Sequence, residues 1–271
     1  NIVFDPEEKN SLDIVNEQHL QECLESCPIV SDTTADFGIK MMISAHSNTP
    51  SLHSYDALLR RISRGKFSSE LNSQLIPLNE VKNWSRTPLA IHHEENRFFS
   101  VIGVRVSAAN REVPSWDQPI VQQVDKGLVG YIVSEINGVM HFLVQLKMES
   151  GNMDLLELSP TVQCITGSYG DSIGKPSQTE PNSKFKSDKM PLYVNEMLDP
   201  TNSSLIFDTL QSEEGGRFYR EENRNMVLLK DLPFPVIEQD FYFWMTLHQL
   251  KMFLKFNNFL NVESRSLLAI I

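Results

Sequence analysis

Two stretches of the chain bring chemically capable residues close together. The first is Gln145-Leu146-Lys147-Met148-Glu149-Ser150-Gly151-Asn152, followed by Leu158-Ser159-Pro160-Thr161-Val162-Gln163. Side chains alternate along a strand, so Gln145, Lys147 and Glu149 would share one face. An amide, an ammonium and a carboxylate there suit the wall of a polar pocket. They equally suit a solvated sheet face closed by a Lys–Glu ion pair. The second stretch, Gln211 to Met226, carries Gly215-Gly216, Arg217, Arg220 and Arg224 with the rings of Phe218 and Tyr219. Arginine forks match phosphate oxygens in pairs, and a ring beside them could stack on a base. The alternative is an exposed turn in which Glu213, Glu214, Glu221 and Glu222 neutralise the arginines.

Other motifs are weaker. His92-His93-Glu94-Glu95 has metal-ligand residue types, but adjacent histidines in a strand point to opposite faces, so a hydrophilic loop is expected and no metal. Walker and Rossmann glycine loops and the Gly-x-Ser-x-Gly elbow are absent from the sequence. Cys23, Cys27 and Cys164 cannot all pair, and reduced thiols are expected. Cys164 reads as a small buried residue, with a thiol nucleophile as the alternative.

The whole chain sets limits on the partners of such sites. Its 271 residues suffice for one large domain or two small ones, and the net charge is −11 with only 24 Lys and Arg. A phosphate backbone needs a concentrated basic surface, so no nucleic acid is expected. No apolar run reaches the roughly 20 residues that span a bilayer, so no membrane segment is expected. The start of the sequence lacks a basic segment followed by an apolar one, which gives a cytoplasmic expectation.

The elements that would hold these residues can be read coarsely. Leu20, Cys23, Leu24 and Cys27 have helical spacing, and Pro28 to Pro50 reads as irregular. Tyr55, Leu58, Leu59 and Ile62 predict a helix ending near Gly65, and Lys66 to Ser73 a polar linker. Strands are predicted over Phe98–Val106, Leu128–Val133, Val139–Met148, Leu155–Leu158 and Met226–Leu229. Asn137-Gly138 between two of them is a hairpin signal, because both residues tolerate positive φ. Asp171 to Lys189 reads as a mobile loop, and residues 240–256 as a helix with Trp244, Leu247, Leu250 and Leu254 on one face. The fold class is α/β (α+β), a mixed sheet with helices at its start and end.

The order of the polar blocks carries a resemblance. Phe98-Phe99-Ser100-Val101-x-Gly103-Val104-Arg105-Val106, Glu112-Val113-x-x-Trp116-Asp117-Gln118-Pro119-Ile120 and Gly138-Val139-x-His141-Phe142-Leu143-Val144-Gln145 come first. Lys147-Met148-Glu149-x-Gly151-Asn152 and Leu158-Ser159-Pro160-Thr161-Val162-Gln163 follow. Then come Gln211-Ser212-Glu213-x-Gly215-x-Arg217-Phe218-Tyr219, Asn223-Arg224-Asn225-Met226 and Thr246-Leu247-x-Gln249-Leu250. In this order the blocks resemble the NDP-hexose 2,3-dehydratase family of deoxysugar biosynthesis, from about Leu75 onward. Where the family continues Ala-Thr-x-Ser-Asn-Tyr, this chain has Cys164-Ile165-Thr166-Gly167-Ser168-Tyr169, and Glu157 stands where the family has Gln.

The resemblance implies a Nudix-like mixed-sheet sandwich over residues 75–271, behind an N-terminal helical extension and linker over 1–74. Gly215 and Glu221 have the opening spacing of the Nudix hydrolase motif, but Leu229-Lys230 replace its Arg-Glu. Metal-dependent pyrophosphate cleavage is therefore not expected. The implied ligand is a nucleotide-linked 4-keto-6-deoxy sugar, and the implied reaction is loss of the C2 hydroxyl after C3 proton abstraction. No cofactor is implied. Glu149 and Glu213 become candidates for acid and base, with Lys147 or Tyr219 beside the developing oxyanion. Arg217 and Arg224 would hold the pyrophosphate, and Trp116, Gln118, Gln163, Tyr169 and Asn225 would complete the binding surface. Well-known members carry two such units and this chain shows one, so a homodimer is expected, with a downstream ketoreductase as a further partner. The alternatives are a keto-sugar epimerase or isomerase using the same enolate, and a non-catalytic sugar-nucleotide-binding module.

Overall fold

The computed structural model describes residues 33–166, 191–201, 203–212, 216–231, 238 and 241–271. The contacts divide the chain into two compact units, residues 1–40 and Met41–Ile271. The described part of the first is the opening of helix α1 (Thr33–Ala45), where Lys40 pairs with Asp36 one turn earlier at 3.1 Å. Apart from this helix, everything below concerns the second unit.

Its centre is a hairpin of β5 (Gly127–Ile136) and β6 (Val139–Met148), turned at Asn137 (φ 52°) and Gly138 (φ 80°). Both strands are buried on both faces over most of their length, which is why they read as nearly continuous apolar runs. The large sheet runs β11 (Tyr242–Thr246), β6, β5, β10 (Glu222–Leu229), β9 (Ser204–Ser212). The β5–β10 pair is parallel and the others are antiparallel.

Partway along the hairpin its strands part company. β6 takes β7 (Leu156–Ser159) as its partner and β5 takes β8 (Val162–Ile165). Thr161 fixes the fork. Its buried hydroxyl donates to the Leu143 carbonyl and accepts the Ile132 N–H at 2.9 Å, at the last pair before the strands separate. A smaller antiparallel sheet holds β1 (Trp84–Arg86), β2 (Ala90–His93), β3 (Phe99–Ser107) and β4 (Ser115–Gln123) in that order. β4 reaches the segment before β10 through Val121 N–H to Arg217 O and Tyr219 N–H to Val121 O, each 2.7 Å.

Helices close over the large sheet. α2 (Tyr55–Ser68), capped by Ser54, buries Leu58 and Ile62. α3 (Val194–Leu198) lays Met197 over Gly130, where a Cβ would come within 2.9 Å of its sulfur. α4 (Leu247–Leu254) starts from a capping box between Thr246 and Gln249, and α5 (Val262–Leu268) from Asn261, which accepts the Ser264 N–H.

The mixed α/β class and the five predicted strands are present, and four expectations need correction. Residues 33–45 are helical, because Met41 and Ser44 bury one face of a segment whose Ser and Thr content reads as loop. α2 does not stop at Gly65 but runs to Ser68, and the expected linker begins inside it. Gly65 is there for close packing, since a Cβ would approach Leu146 Cδ2 to 2.7 Å. Trp244 belongs to β11, not to a helix over 240–256, and the helix begins only after the Thr246 cap. His92-His93 ends strand β2 and is no loop, with His93 edge-on to Trp84 and Phe98. The segment around Cys23 and the stretch Asp171–Lys189 lie outside the described residues.

Candidate functional site

Among the described residues β8 pairs with β5 on one side only, and polar side chains gather at its other edge. Lys147 leaves the end of β6 and donates from Nζ to the Gln163 carbonyl at 3.0 Å. The same ammonium meets Glu149 Oε1 at 2.7 Å. Gln163 Nε2 donates to that oxygen at 3.2 Å, and Gln163 Oε1 accepts from Asn261 Nδ2 at 2.6 Å. β6 ends at Met148, so Glu149 shares no strand face with Lys147; it folds back to meet it. An ammonium has three N–H donors, and among the described residues these contacts use two, which leaves one for a ligand oxygen.

Two further groups surround Lys147. Glu157 lies opposite it in the β6–β7 register. Burial raises the Glu157 carboxyl above its ordinary value, Lys66 and Arg265 oppose the rise, and Glu149 and Asp154 add to it. The half-buried Cys164 thiol is pushed up to about 11 by burial, against the pull of Lys147. A thiol in that state is protonated at neutral pH and is a poor nucleophile.

Strand pairing places the second sequence stretch, in β10, two strands from β8 in the same sheet. Residues paired across a sheet share a face, and each strand adds about 4.8 Å. Leu210, Arg224, Leu128 and Cys164 form one such row across β9, β10, β5 and β8. At that row lies a cleft of about 270 Å³, lined by Lys126, Gly127, Leu128, Thr166, Leu198, Asp208, Leu210 and Arg224. Arg224 holds Asp208 with both arms of its fork, Nε to Oδ1 at 2.8 Å and Nη2 to Oδ2 at 2.6 Å. Those hydrogen bonds hold the Asp208 carboxyl below its usual range. Lys126 pairs with Glu222 at 2.9 Å, and Thr166 donates to Asp125 at 2.8 Å.

Asn225 follows Arg224 in the same strand and therefore faces the other way. Its row is Thr209, Asn225, Val129 and Gln163. The two amides expected to touch ligand thus share a face, and Arg224 lies on the opposite one.

Trp116, Gln118, Arg217 and Tyr219 collect against β4 on the smaller sheet. Trp116 Nε1 donates to Gln118 Oε1 and Gln118 Nε2 to the Gly216 carbonyl, each at 2.6 Å. The exposed Arg217 lies 5.6 Å from the Phe218 ring centre, and Arg220 lies 5.5 Å from that of Tyr219. Gln123 and Glu221 are hydrogen-bonded at this junction. Glu213 and Tyr169 lie outside the described residues. Sequence patterns alone do not mark Asp208, Lys126 or Thr166. Asn261 carries a local signal, as an Asn three residues ahead of Ser264 at a helix start, but nothing that ties it to the cluster.

Fold and site together define an α/β domain on a mixed sheet, with a polar cluster at one strand edge and an arginine-bearing cleft a few strands away. The chain belongs to the NDP-hexose 2,3-dehydratase family, whose model matches residues 56–271. It is 39% identical over 220 residues to a dTDP-4-dehydro-6-deoxy-alpha-D-glucopyranose 2,3-dehydratase of Streptomyces violaceoruber, covering 80% of this chain and 46% of that one. A protein of the same name from Saccharopolyspora spinosa is 36% identical over 199 residues, covering 73% of this chain and 38% of that one. The chain thus spans less than half the length of these curated relatives. A solved structure, titled as that of an ADP compounds hydrolase, aligns with a TM-score of 0.36 and 14% identity over 74% of this chain and 94% of that one. Among the described residues no group of His, Cys, Asp and Glu could hold a metal ion, and no helix is long and apolar enough to cross a membrane.

Proposed function

We propose that this chain carries the binding and elimination chemistry of a 2,3-dehydratase acting on a nucleotide-linked 4-keto-6-deoxyhexose. One observation carries the reading: Lys147, Glu149 and Gln163 meet at the edge of β8, an ammonium, a carboxylate and an amide within hydrogen-bond reach of one another. The cleft that holds Arg224 lies on the opposite face of the sheet from the Gln163 side chain. The family membership and the names of the relatives support the substrate class.

The chemistry follows from the ketone. The carbonyl at C4 acidifies the C3 proton, and a carboxylate removes it to give an enolate. Glu149 is the described candidate, with Glu213 as the second carboxylate of the pair. The remaining N–H of Lys147 donates to the C4 oxygen as negative charge develops there. The enolate expels the C2 hydroxyl, which takes a proton and leaves as water. The C2–C3 enol that remains gains a proton at C2 and becomes the 3-ketone, a 3,4-diketo-2,6-dideoxy sugar. Arg224 exchanges Asp208 for a phosphate oxygen, with Arg217, Trp116, Gln118, Tyr219 and Tyr169 as further contacts around the nucleotide. Asn225, on the other face with Gln163, is left to the sugar side. No step calls for a redox cofactor.

A vicinal diketone is reactive, so a ketoreductase is the natural consumer of the product. A homodimer is part of the reading, supported by the apolar side chains left exposed around the smaller sheet, such as Leu89, Phe98 and Phe99. So are a cytoplasmic location and a Nudix-like arrangement of the sheets. Incubation with the thymidine-linked 4-keto-6-deoxy sugar should give a product lighter by one water. Solvent deuterium entering the sugar without loss of water would select an epimerase, and tight binding with neither would select a binding module.

A further inference from the structure

We propose that Asn261 is a positioning residue for Glu149, acting through the side-chain amide of Gln163. The inference rests on the reading above, in which Glu149 moves a proton, and it adds a residue 98 positions away in the chain from the amide it orients.

The orientation of every group in the series is forced from one end. Asn261 caps α5, and its Oδ1 accepts the backbone N–H of Ser264 at 2.9 Å. A backbone N–H can only donate, so the Asn261 atom facing it must be the oxygen. Its amide nitrogen therefore points the other way, where it donates to Gln163 at 2.6 Å. The Gln163 atom that receives this hydrogen bond must be an oxygen, so its nitrogen faces Glu149, 3.2 Å from Oε1. An ionised carboxylate only accepts, and the far end agrees with the near one.

The anchor itself is firm. Asn261 is buried, and its own N–H donates to the Leu158 carbonyl at 3.0 Å. Ser264 is fully buried, donating to Leu158 O at 3.0 Å and accepting from the Tyr131 hydroxyl at 3.0 Å. The helix cap, fixed by the core, thus sets which end of the Gln163 amide the carboxylate meets. With the amide so held, Glu149 Oε1 takes the donors of both Gln163 and Lys147, and the carboxylate has one orientation relative to the ammonium.

Asn261→Asp tests this without removing the cap, since Asp caps helices as well as Asn does. One Asp oxygen keeps the Ser264 N–H. The other turns an acceptor toward Gln163, whose amide must then invert and present its oxygen to Glu149. N261D should lower kcat about tenfold or more while KM stays within about twofold, as expected when a reacting group is misaimed and substrate binding is unchanged. Gln163→Met should lower kcat at least as far, and the double variant should be no worse than Q163M alone. Wild-type kcat in N261D or in Q163M, or additive losses in the double variant, would overturn the proposal.

A second measurement does not depend on turnover. In protein labelled with 15N at glutamine, Glu149→Gln should shift the Gln163 side-chain NH2 signals in the wild-type background and leave them unmoved beside N261D. An equal response in both backgrounds contradicts the positioning role. Absence of water loss from the wild-type protein would count against the dehydratase reading alone, because the NMR comparison still decides the relay.

Discussion

Arg224 and Asp208 face each other across adjacent antiparallel strands, offset from direct register, and are joined by both arms of the guanidinium. The pair sits in the wall of the cleft, so the cation that would meet a phosphate is held in place by a carboxylate a ligand must displace. Asp208→Asn should free the fork and tighten binding of thymidine diphosphate by about threefold, the scale of a partly exposed ion pair. Arg224→Gln should weaken it about tenfold or more, since hydrogen bonds to charged groups are worth about 1.5–3 kcal/mol. Titration calorimetry reads both. Equal affinities in the two variants would remove Arg224 from the site.

Thr161 offers a test of the frame that holds Lys147. Thr161→Val leaves the Ile132 N–H and the Leu143 carbonyl without their buried partner and should cost about 3 kcal/mol of stability. Thr161→Ser keeps the hydroxyl and loses a methyl group, for about 1 kcal/mol. Denaturant unfolding should rank the two in that order, and a reversed order would mean that the hydroxyl does not hold the fork.

Glu157 gives a pH dependence with a definite sign. Burial raises its carboxyl above the ordinary 4.5, so the folded state binds this proton more tightly than the unfolded state. Stability contributed by the protonated form is present below the unfolded value and is lost as pH rises through the folded one. Glu157→Gln should therefore raise Tm at about pH 7 and leave it unchanged at about pH 3, where the carboxyl is neutral in both states. A gain of equal size at both pH values would assign the effect to packing.

The sequence shows the fold most clearly where burial is complete. β5 and β6 are buried on both faces, so composition alone marks them, and Asn137-Gly138 supplies the turn. It shows least where one residue type serves two structures. The Ser and Thr around α1 suit loops and helix caps alike, and the apolar spacing over 240–256 is shared by a strand and a helix, with Thr246 and Gln249 marking the change.

The site divides in the same way. Lys147 and Glu149 are close in sequence, so their partnership is visible there. The alignment of Arg224 with Cys164, and of Asn225 with Gln163, depends on the registers of three strand pairs that no local pattern specifies. Asn261 can be recognised as a cap, but its second hydrogen bond exists only once α5 has docked against β5 and β7.

The central claim is that elimination takes place at the Lys147–Glu149 cluster. The most direct measurement is the rate of water loss from the thymidine-linked 4-keto-6-deoxy sugar, followed by mass, for Lys147→Met beside the wild-type protein. The account predicts that K147M binds the nucleotide with unchanged affinity and loses kcat by about a hundredfold or more, the scale of removing one donor to a developing oxyanion. K147M turning over at the wild-type rate would contradict it.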